Sequence, residues 1–450
     1  MKLILIILFA IVSLTGCKKF LDDKPDKKLQ LPTTIEAAQG LLDYENTMNL
    51  NNPCTGEISA DNYYLTDANF NGLSSEASKN TYLWLDDITL NEYANHWSRL
   101  FDVVTVSNVC LESLEKIQPD SLSKTVWNNA RGSALFFRAK SWLTAIGYWT
   151  KAYEKNSAST DMGIPIRLNS DYEQVSKRAS LQESYDRVIS DLKEAMVLLP
   201  NVPRHVLRPS ARASYGLLAR TYLQMNMYDS ALLYAEKYLA INSTLMNYNS
   251  LSTTASYAFP IYNVEVCMHT LVNPPTIIGI TKAWMDTTLF NSYDGNDLRK
   301  SLFFKNNGNG TYYFRGSYNQ SGIQFNGIAT DEIYLIKAEC LIRLDKLSEG
   351  MAVLNNLMLT RWKTGTFIPF TAANTIQALK LLFTERRKEL TFRDLRWMDL
   401  KRLNLEPDFQ TTLYRKINGK DYSLPPNDKR YALPIPSSVI ALSGMPQNPR

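Results

Sequence analysis

Only three histidines, His96, His205 and His269, are available for acid–base or metal work, and they lie far apart in the chain. None belongs to an H-E-x-x-H pair, and neither a G-x-S-x-G nucleophile elbow nor a phosphate-cradling G-x-x-x-x-G-K-S/T loop occurs. His96 sits in NEYANHWSRLF, which reads as an ordinary helix. Adjacent acids such as Asp86-Asp87 say nothing about the through-space separation a glycosidase needs. YDGNDL, 293–298, lacks the alternating ligands and terminal Glu of a calcium loop and reads as a turn. Cys54, Cys110, Cys267 and Cys340 form no C-x-x-C pair and read as buried free thiols. The reading is of a protein that binds rather than converts: no catalytic residue, no metal ligand and no cofactor is expected.

The residue types that remain suit recognition of sugars. A glycan binder needs flat apolar faces for the C–H faces of the rings, with amides, carboxylates or guanidiniums nearby for the hydroxyls. The chain holds 25 Tyr and 8 Trp. The aromatics on irregular, polar stretches are the candidates: Tyr63, Tyr64, Trp84, Tyr257, Trp284, Tyr312 and Tyr313. Asp61, Asn62 and Arg315 are candidate polar partners. Tyr63 and Tyr64 stand out because Asp61-Asn62 precede them inside an Asn/Ser/Gly-rich loop. Trp97, Trp127, Trp142 and Trp397 fall in helical patterns and are assigned to packing. In TERRKELTFRDLRWMDLKR, 384–402, Glu389 and Arg393 are spaced as an i,i+4 pair. The cluster Arg386, Arg387, Arg393, Arg396, Asp399 and Arg402 has the composition of an anion site, but a charge network fixing two helices is favoured.

These loops need a frame, and the periodicity supplies one. Leu135, Phe136, Ala139, Trp142, Leu143 and Ile146 share a helical face. Tyr215, Leu218, Ala219, Tyr222 and Leu223 do the same, and after the turn QMNMYD a second helix carries Ala231, Leu232, Ala235, Tyr238 and Leu239. Tyr334, Leu335, Ala338, Leu341 and Ile342 are followed by Leu347, Gly350, Met351, Leu354, Leu357 and Met358, with Ser348 as the expected N-cap of the second helix. Ala219 precedes Ala231 by the same interval as Ala338 precedes Gly350, which places small residues where antiparallel helices cross. This is the logic of tetratricopeptide helix pairs, here degenerate and interrupted by insertions. Further pairs are expected between 135–149 and 181–200, and between 35–48 and 92–117. FFKNNGNGTYYF, 303–314, reads as a hairpin. The proline-rich end, YALPIPSSVIALSGMPQNPR, reads as a strap on the surface. The expected fold class is mainly α, a frame of tetratricopeptide-like helix pairs with a loop-rich, irregular half containing short hairpins.

The N-terminus sets the compartment. The apolar run Leu3 to Leu14 is too short to span a bilayer, which takes about 20 residues. With Lys2 before it, the run matches the h-region of an export signal. It ends in Leu14-Thr15-Gly16-Cys17, which resembles a bacterial lipobox and implies cleavage before Cys17 and its lipidation. An export signal with an incidental cysteine is the alternative. The charged stretch that follows reads as a solvated tether. The expected organisation is a signal over 1–16, a tether over 17–32 and one domain over 33–450, with insertions at about 50–90, 150–180 and 244–330. A dispersed net charge of +5 argues against a nucleic-acid partner.

Taken together, several stretches resemble the SusD/RagB family of outer-membrane lipoproteins of Bacteroidetes. They are Cys17-Lys18-Lys19-Phe20-Leu21-Asp22, Arg138-Ala139-Lys140 leading to STDMGIPIRL (159–168), SYDGNDLRKSLFF (292–304), ERRKELTFRDLRWMDLKR (385–402) and YALPIPSSVIALSGMPQNP (431–449). The chain departs from the family pattern at Arg393-Asp394, where Glu-Gly is usual. The resemblance implies a lipid-anchored protein facing the cell exterior. It also implies capture of a nutrient, a glycan fragment or in some members a peptide, and delivery to a SusC-like TonB-dependent β-barrel transporter. The competing readings are a lipid-anchored scaffold whose helix pairs bind proteins only, and a hydrolase with an unrecognised site.

Overall fold

The structure is a computed structural model of the chain and describes residues 31–86, 88 and 95–450. The export signal, Cys17 and the tether as far as residue 30 therefore lie outside the described residues, as do Asp87 and the start of the 92–117 segment. The fold is mainly α, with short two-stranded pairs and no larger sheet among the described residues.

The helical frame runs nearly in chain order. Helix α1 (Ile35–Leu42) is capped by the Thr34 hydroxyl and is followed by the short α2 (Thr55–Ser59). Two long helices come next, α3 (His96–Lys116) and α4 (Lys124–Trp149). Helix α5 (Leu181–Leu198) begins with a full capping box, the Ser180 hydroxyl and the Glu183 carboxylate each satisfying the other's backbone N–H. Helices α6 (Ala211–Gln224) and α7 (Tyr228–Ile241) form one tight pair. After the five-residue α8 (Thr287–Asn291), α9 (Thr330–Arg343) and α10 (Leu347–Leu359) form another, and α11 (Thr375–Glu389) and α12 (Arg396–Leu403) close the frame. Consecutive long helices pack on one another from α3 through α7, and then α7 packs on α9 and α9 on α10. Helix α1 lies on α3, as the spacing of residues 35–48 and 92–117 suggests.

The small residues do what their register implies. Ala219, Ala231 and Ala338 are fully buried. A Cβ on Gly350 would come within 2.9 Å of the Ala338 carbonyl and 2.5 Å of Ile342 Cγ1, so only glycine lets α9 and α10 approach this closely. One detail differs from expectation. Helix α10 starts at Leu347 with no side-chain cap, and Ser348 falls inside its first turn.

The irregular half has its own apolar core, including Tyr63, Phe259, Phe303, Phe314 and Phe392. Strands β1 (Tyr63–Tyr64) and β2 (Trp284–Met285) pair antiparallel. Strands β3 (Phe304–Asn306) and β4 (Tyr312–Phe314) form the expected hairpin, its loop turning through Gly308 and Gly310 at φ of +88° and +81°. A second hairpin, β5 (Leu413–Ile417) and β6 (Lys420–Leu424), turns through Asn418-Gly419.

Buried ion pairs pin the two halves together. Arg361 reaches Glu389 of α11 at 2.8 Å and Glu265 of the irregular half at 2.9 Å. Arg299 is held by Asp297 at 2.7 Å, by Glu389 at 3.0 Å and by Glu385. The expected Glu389–Arg393 pair does not form, because α11 ends at Glu389 and the backbone leaves helical geometry; Arg393 turns to Asp331 instead, at 3.1 Å. The C-terminal segment also differs from a surface strap. Tyr431, Leu433 and Ile435 are buried in the main core, and the Leu433 N–H donates to the Tyr148 carbonyl, because this segment supplies apolar side chains that close the end of α4. No helix of the described residues is long and apolar enough to cross a membrane.

Candidate ligand-binding surface

The loop 60–64 is positioned from beneath by α2. A pair of carboxyls does this: Asp394 Oδ1 accepts from the Glu57 N–H at 3.2 Å, and Glu57 Oε2 accepts from the Asp394 N–H at 3.1 Å. Asn62 Nδ2 donates to the other Glu57 oxygen at 2.8 Å, and the Tyr148 hydroxyl donates to Asp394. Burial pushes the Glu57 carboxyl up to about 7 and the Asp394 carboxyl up to about 8. From above, Arg415 of β5 donates to the carbonyls of Ile58, Ser59 and Ala60 at 3.2, 3.0 and 2.6 Å, satisfying the end of α2. Its guanidinium lies over the rings of Tyr82 at 3.6 Å and Trp84 at 4.4 Å.

Asp61 is clamped from the side. Arg396 reaches its carboxylate at 2.7 and 2.9 Å, and Arg387 reaches it at 3.3 Å and its carbonyl at 2.7 Å. Burial pushes the Asp61 carboxyl up, but the two guanidiniums outweigh it and hold it well below the usual carboxylate range. Arg386 pairs with Asp399 at 2.7 Å, and Arg402 pairs with Asp399 at 2.9 Å and with Glu339. The basic cluster of 386–402 is thus a fixing network.

The β1–β2 pairing then decides which rings face outward. Tyr63 opposes Met285 and Tyr64 opposes Trp284, and alternation puts the first couple inside and the second outside. Tyr63 is 3% exposed and its hydroxyl donates to the Ile58 carbonyl. Tyr64 and Trp284 are half-buried and meet edge to face, their centroids 5.8 Å apart. Strand β4 lies beside β2 and carries Tyr312 and Tyr313, both half-buried. Tyr312 stacks on Phe290 of α8 at 3.7 Å, and the Lys300 ammonium sits 4.9 Å from the Phe290 ring. Tyr257, 39% exposed, stands by Gly322 on another loop of the same half.

Four of the residues singled out in the sequence are spent on the interior. Asn62 and Tyr63 hold the loop from within. Trp84 is buried, with its indole N–H donating to the Ser59 carbonyl at 3.0 Å. Arg315 is buried and donates to the carbonyls of Leu302, Ala255, Thr253 and Ser301, so it serves the backbone. Asp61 is the loop's anchor. Tyr64, Trp284, Tyr312 and Tyr313 are gathered on two neighbouring strand pairs, and Tyr257 is apart from them. Sequence reasoning missed Phe290, which has no distinguishing pattern in TTLFN. It also missed Arg415, although LYRKI-NG-KDYSL, with Asn-Gly between alternating strands, signals the hairpin that carries it. Among the described residues no group of three His, Cys, Asp or Glu side chains is placed to hold a metal ion. The arrangement offers faces and edges of rings on a fixed base, with charged groups at their margin, which suits binding of a ring-shaped polar ligand.

Two family models match the chain. Residues 19–223 match the one described as starch-binding associating with outer membrane, and residues 284–450 match that of the SusD family. Solved structures share the fold. A SusD superfamily protein from Bacteroides thetaiotaomicron is 20% identical, with a TM-score of 0.74 over 93% of this chain and 100% of that one. A putative sugar-binding protein from Bacteroides vulgatus is 19% identical, with a TM-score of 0.72 over 94% and 99%. A laminarin-binding SusD-like protein is 15% identical, with a TM-score of 0.67 over 94% and 100%. No curated protein matches the sequence.

Proposed function

Because the chain belongs to the SusD/RagB family, we propose that it is a non-catalytic outer-membrane lipoprotein that captures an oligosaccharide and passes it to a TonB-dependent transporter. It is held by lipid on Cys17 and faces the cell exterior. The rings Tyr64, Trp284, Phe290 and Tyr312 form the main contact surface, with Tyr313 extending it and Tyr257 a separate candidate contact. The observation that carries this reading is the outward Tyr64–Trp284 couple next to the stacked Tyr312–Phe290 couple. Large rings left half-exposed on a base fixed by buried ion pairs suit a ligand that stacks. The laminarin-binding relative and the sugar-binding relative support a glycan as the ligand class.

Titration calorimetry against laminarin, soluble starch and a tryptic peptide mixture tests the reading. Binding to at least one polysaccharide is expected, with a loss of roughly tenfold or more for Trp284→Ala combined with Tyr64→Ala. A double variant that keeps full polysaccharide affinity would move the site elsewhere. Binding to the peptides alone would replace the glycan with a peptide. Co-purification of the membrane-anchored protein with a β-barrel transporter tests the delivery step.

A further inference from the structure

A cleft of about 520 Å³ lies between the C-terminal segment and the adjoining ends of α4 and α12, and shares no residue with the aromatic surface. Its lining includes Lys151, Asp161, Lys401, Asn404, Tyr431 and Asn448. The volume falls within the range of small-molecule sites. Three of these side chains are almost fully enclosed: Lys401 is 6% exposed, Tyr431 4% and Asn404 1%.

Each of the three keeps hydrogen-bonding capacity unspent. Lys401 Nζ donates to the carbonyls of Gly147, at 2.9 Å, and Thr150. An ammonium has three N–H donors, so one remains. Asn404 Oδ1 accepts from the Thr411 N–H, while its amide and the Tyr431 hydroxyl face each other without forming a well-aligned hydrogen bond. Buried polar groups are ordinarily satisfied, and two poorly satisfied ones beside a lysine with one N–H to spare, all lining the same cleft, ask for a ligand. The charges around them set its sign. The lining acids already have cations: Asp161 pairs with Lys151 at 2.9 Å, Glu154 with Lys151 at 3.5 Å, and Asp428 with Arg430 at 2.7 Å. Lys401 makes no ion pair among the described residues and burial pushes its ammonium down to about 7, so the enclosed part of the cleft is donor-rich and a counter-charge there would hold Lys401 protonated.

We propose that this cleft is a second ligand site, which takes the carboxylate of an acidic sugar or of a peptide end on Lys401, Asn404 and Tyr431. The proposal is independent of what the aromatic surface binds. A carboxylate accepts from all three donors and supplies the missing counter-charge. Neutral hydroxyls at the same place would supply no counter-charge to keep Lys401 protonated.

Saturation-transfer NMR and titration calorimetry on the detergent-solubilised full chain test it, with D-galacturonate, D-galactose, N-acetylglycylglycine and its C-terminal amide as probes. At least one acid is expected to bind, about tenfold or more tighter than its neutral counterpart. Galacturonate alone binding identifies the acidic sugar, and the dipeptide alone identifies the peptide end. Asn404→Asp replaces a donor with a negative charge and should abolish binding. Tyr431→Phe removes only a hydroxyl and should weaken it about fivefold. Tyr64→Ala with Trp284→Ala should leave it unchanged. Melting curves identify any variant that fails to fold, and Tyr431→Phe, which keeps the ring, serves as the mild second substitution. No binding of either acid, equal binding of acid and neutral probe, or undiminished binding by folded Asn404→Asp and Tyr431→Phe would overturn the proposal.

Discussion

At Asp394 the backbone takes a left-handed conformation, φ 59°, which glycine adopts freely and aspartate tolerates better than most residues. The SusD/RagB pattern usually has glycine there, and this chain uses the extra carboxyl to cap Glu57 and meet Tyr148. Both buried carboxyls hold their protons to higher pH than an unfolded chain does. Stability from them is therefore present below about pH 4 and is lost as pH rises toward 8. Asp394→Asn removes one titration, so the urea midpoint of the variant should fall less steeply between pH 5 and pH 8 than that of the native protein. The difference is at most about 1.4 kcal/mol per pH unit. An unchanged slope would mean that the Asp394 proton is not retained on folding. Asp61 has the opposite sign. Its carboxyl is depressed, so its contribution persists at neutral pH and is lost only in acid. Asp61→Ala leaves Arg387 and Arg396 without their shared partner and should cost about 3 kcal/mol in urea unfolding. It should also weaken ligand binding through the displaced Tyr64, although Asp61 need not touch the ligand.

Among the elements, the α9–α10 crossing carries the most direct steric statement. Gly→Ala inside a helix ordinarily stabilises by roughly 0.5–1 kcal/mol. At Gly350 the new Cβ meets Ile342 and the Ala338 carbonyl, so Gly350→Ala should instead destabilise by about 1–3 kcal/mol in thermal or urea unfolding. A neutral or stabilising result would show that the helices slide apart at no cost. The helix pairs are legible in the sequence because a helix face is written within a dozen residues: Ala219, Ala231, Ala338 and Gly350 are all found where their spacing puts them. The β3–β4 hairpin is legible for the same reason, since its turn and both strands are contiguous. Elements closed by distant partners are less so. The C-terminal segment shows its prolines in sequence, but its buried Leu433 and Ile435 are explained only by the end of α4 that they cover.

For the whole molecule, the proposed lipid anchor makes a clean test. Several acyl chains on Cys17 would bind the membrane far more strongly than a single marginal one. Cys17→Ala should therefore move the protein from the detergent phase to the aqueous phase in Triton X-114 partitioning and abolish palmitate labelling. Equal partitioning of both forms would point to an ordinary export signal. The sequence by itself determined the helical frame, because a helix face is encoded in local spacing and residue type; the export signal and the aromatic rings as the chemistry of recognition are expectations read from the same local patterns. Only the tertiary structure decided that Tyr64 faces out and Tyr63 in, that Trp84 and Arg315 serve the interior, and that Phe290 joins the surface. The physical reason is that the face a side chain takes depends on the strand it pairs with. For Tyr63–Tyr64 that strand is Trp284–Met285, far along the chain, and no pattern near residue 63 records it.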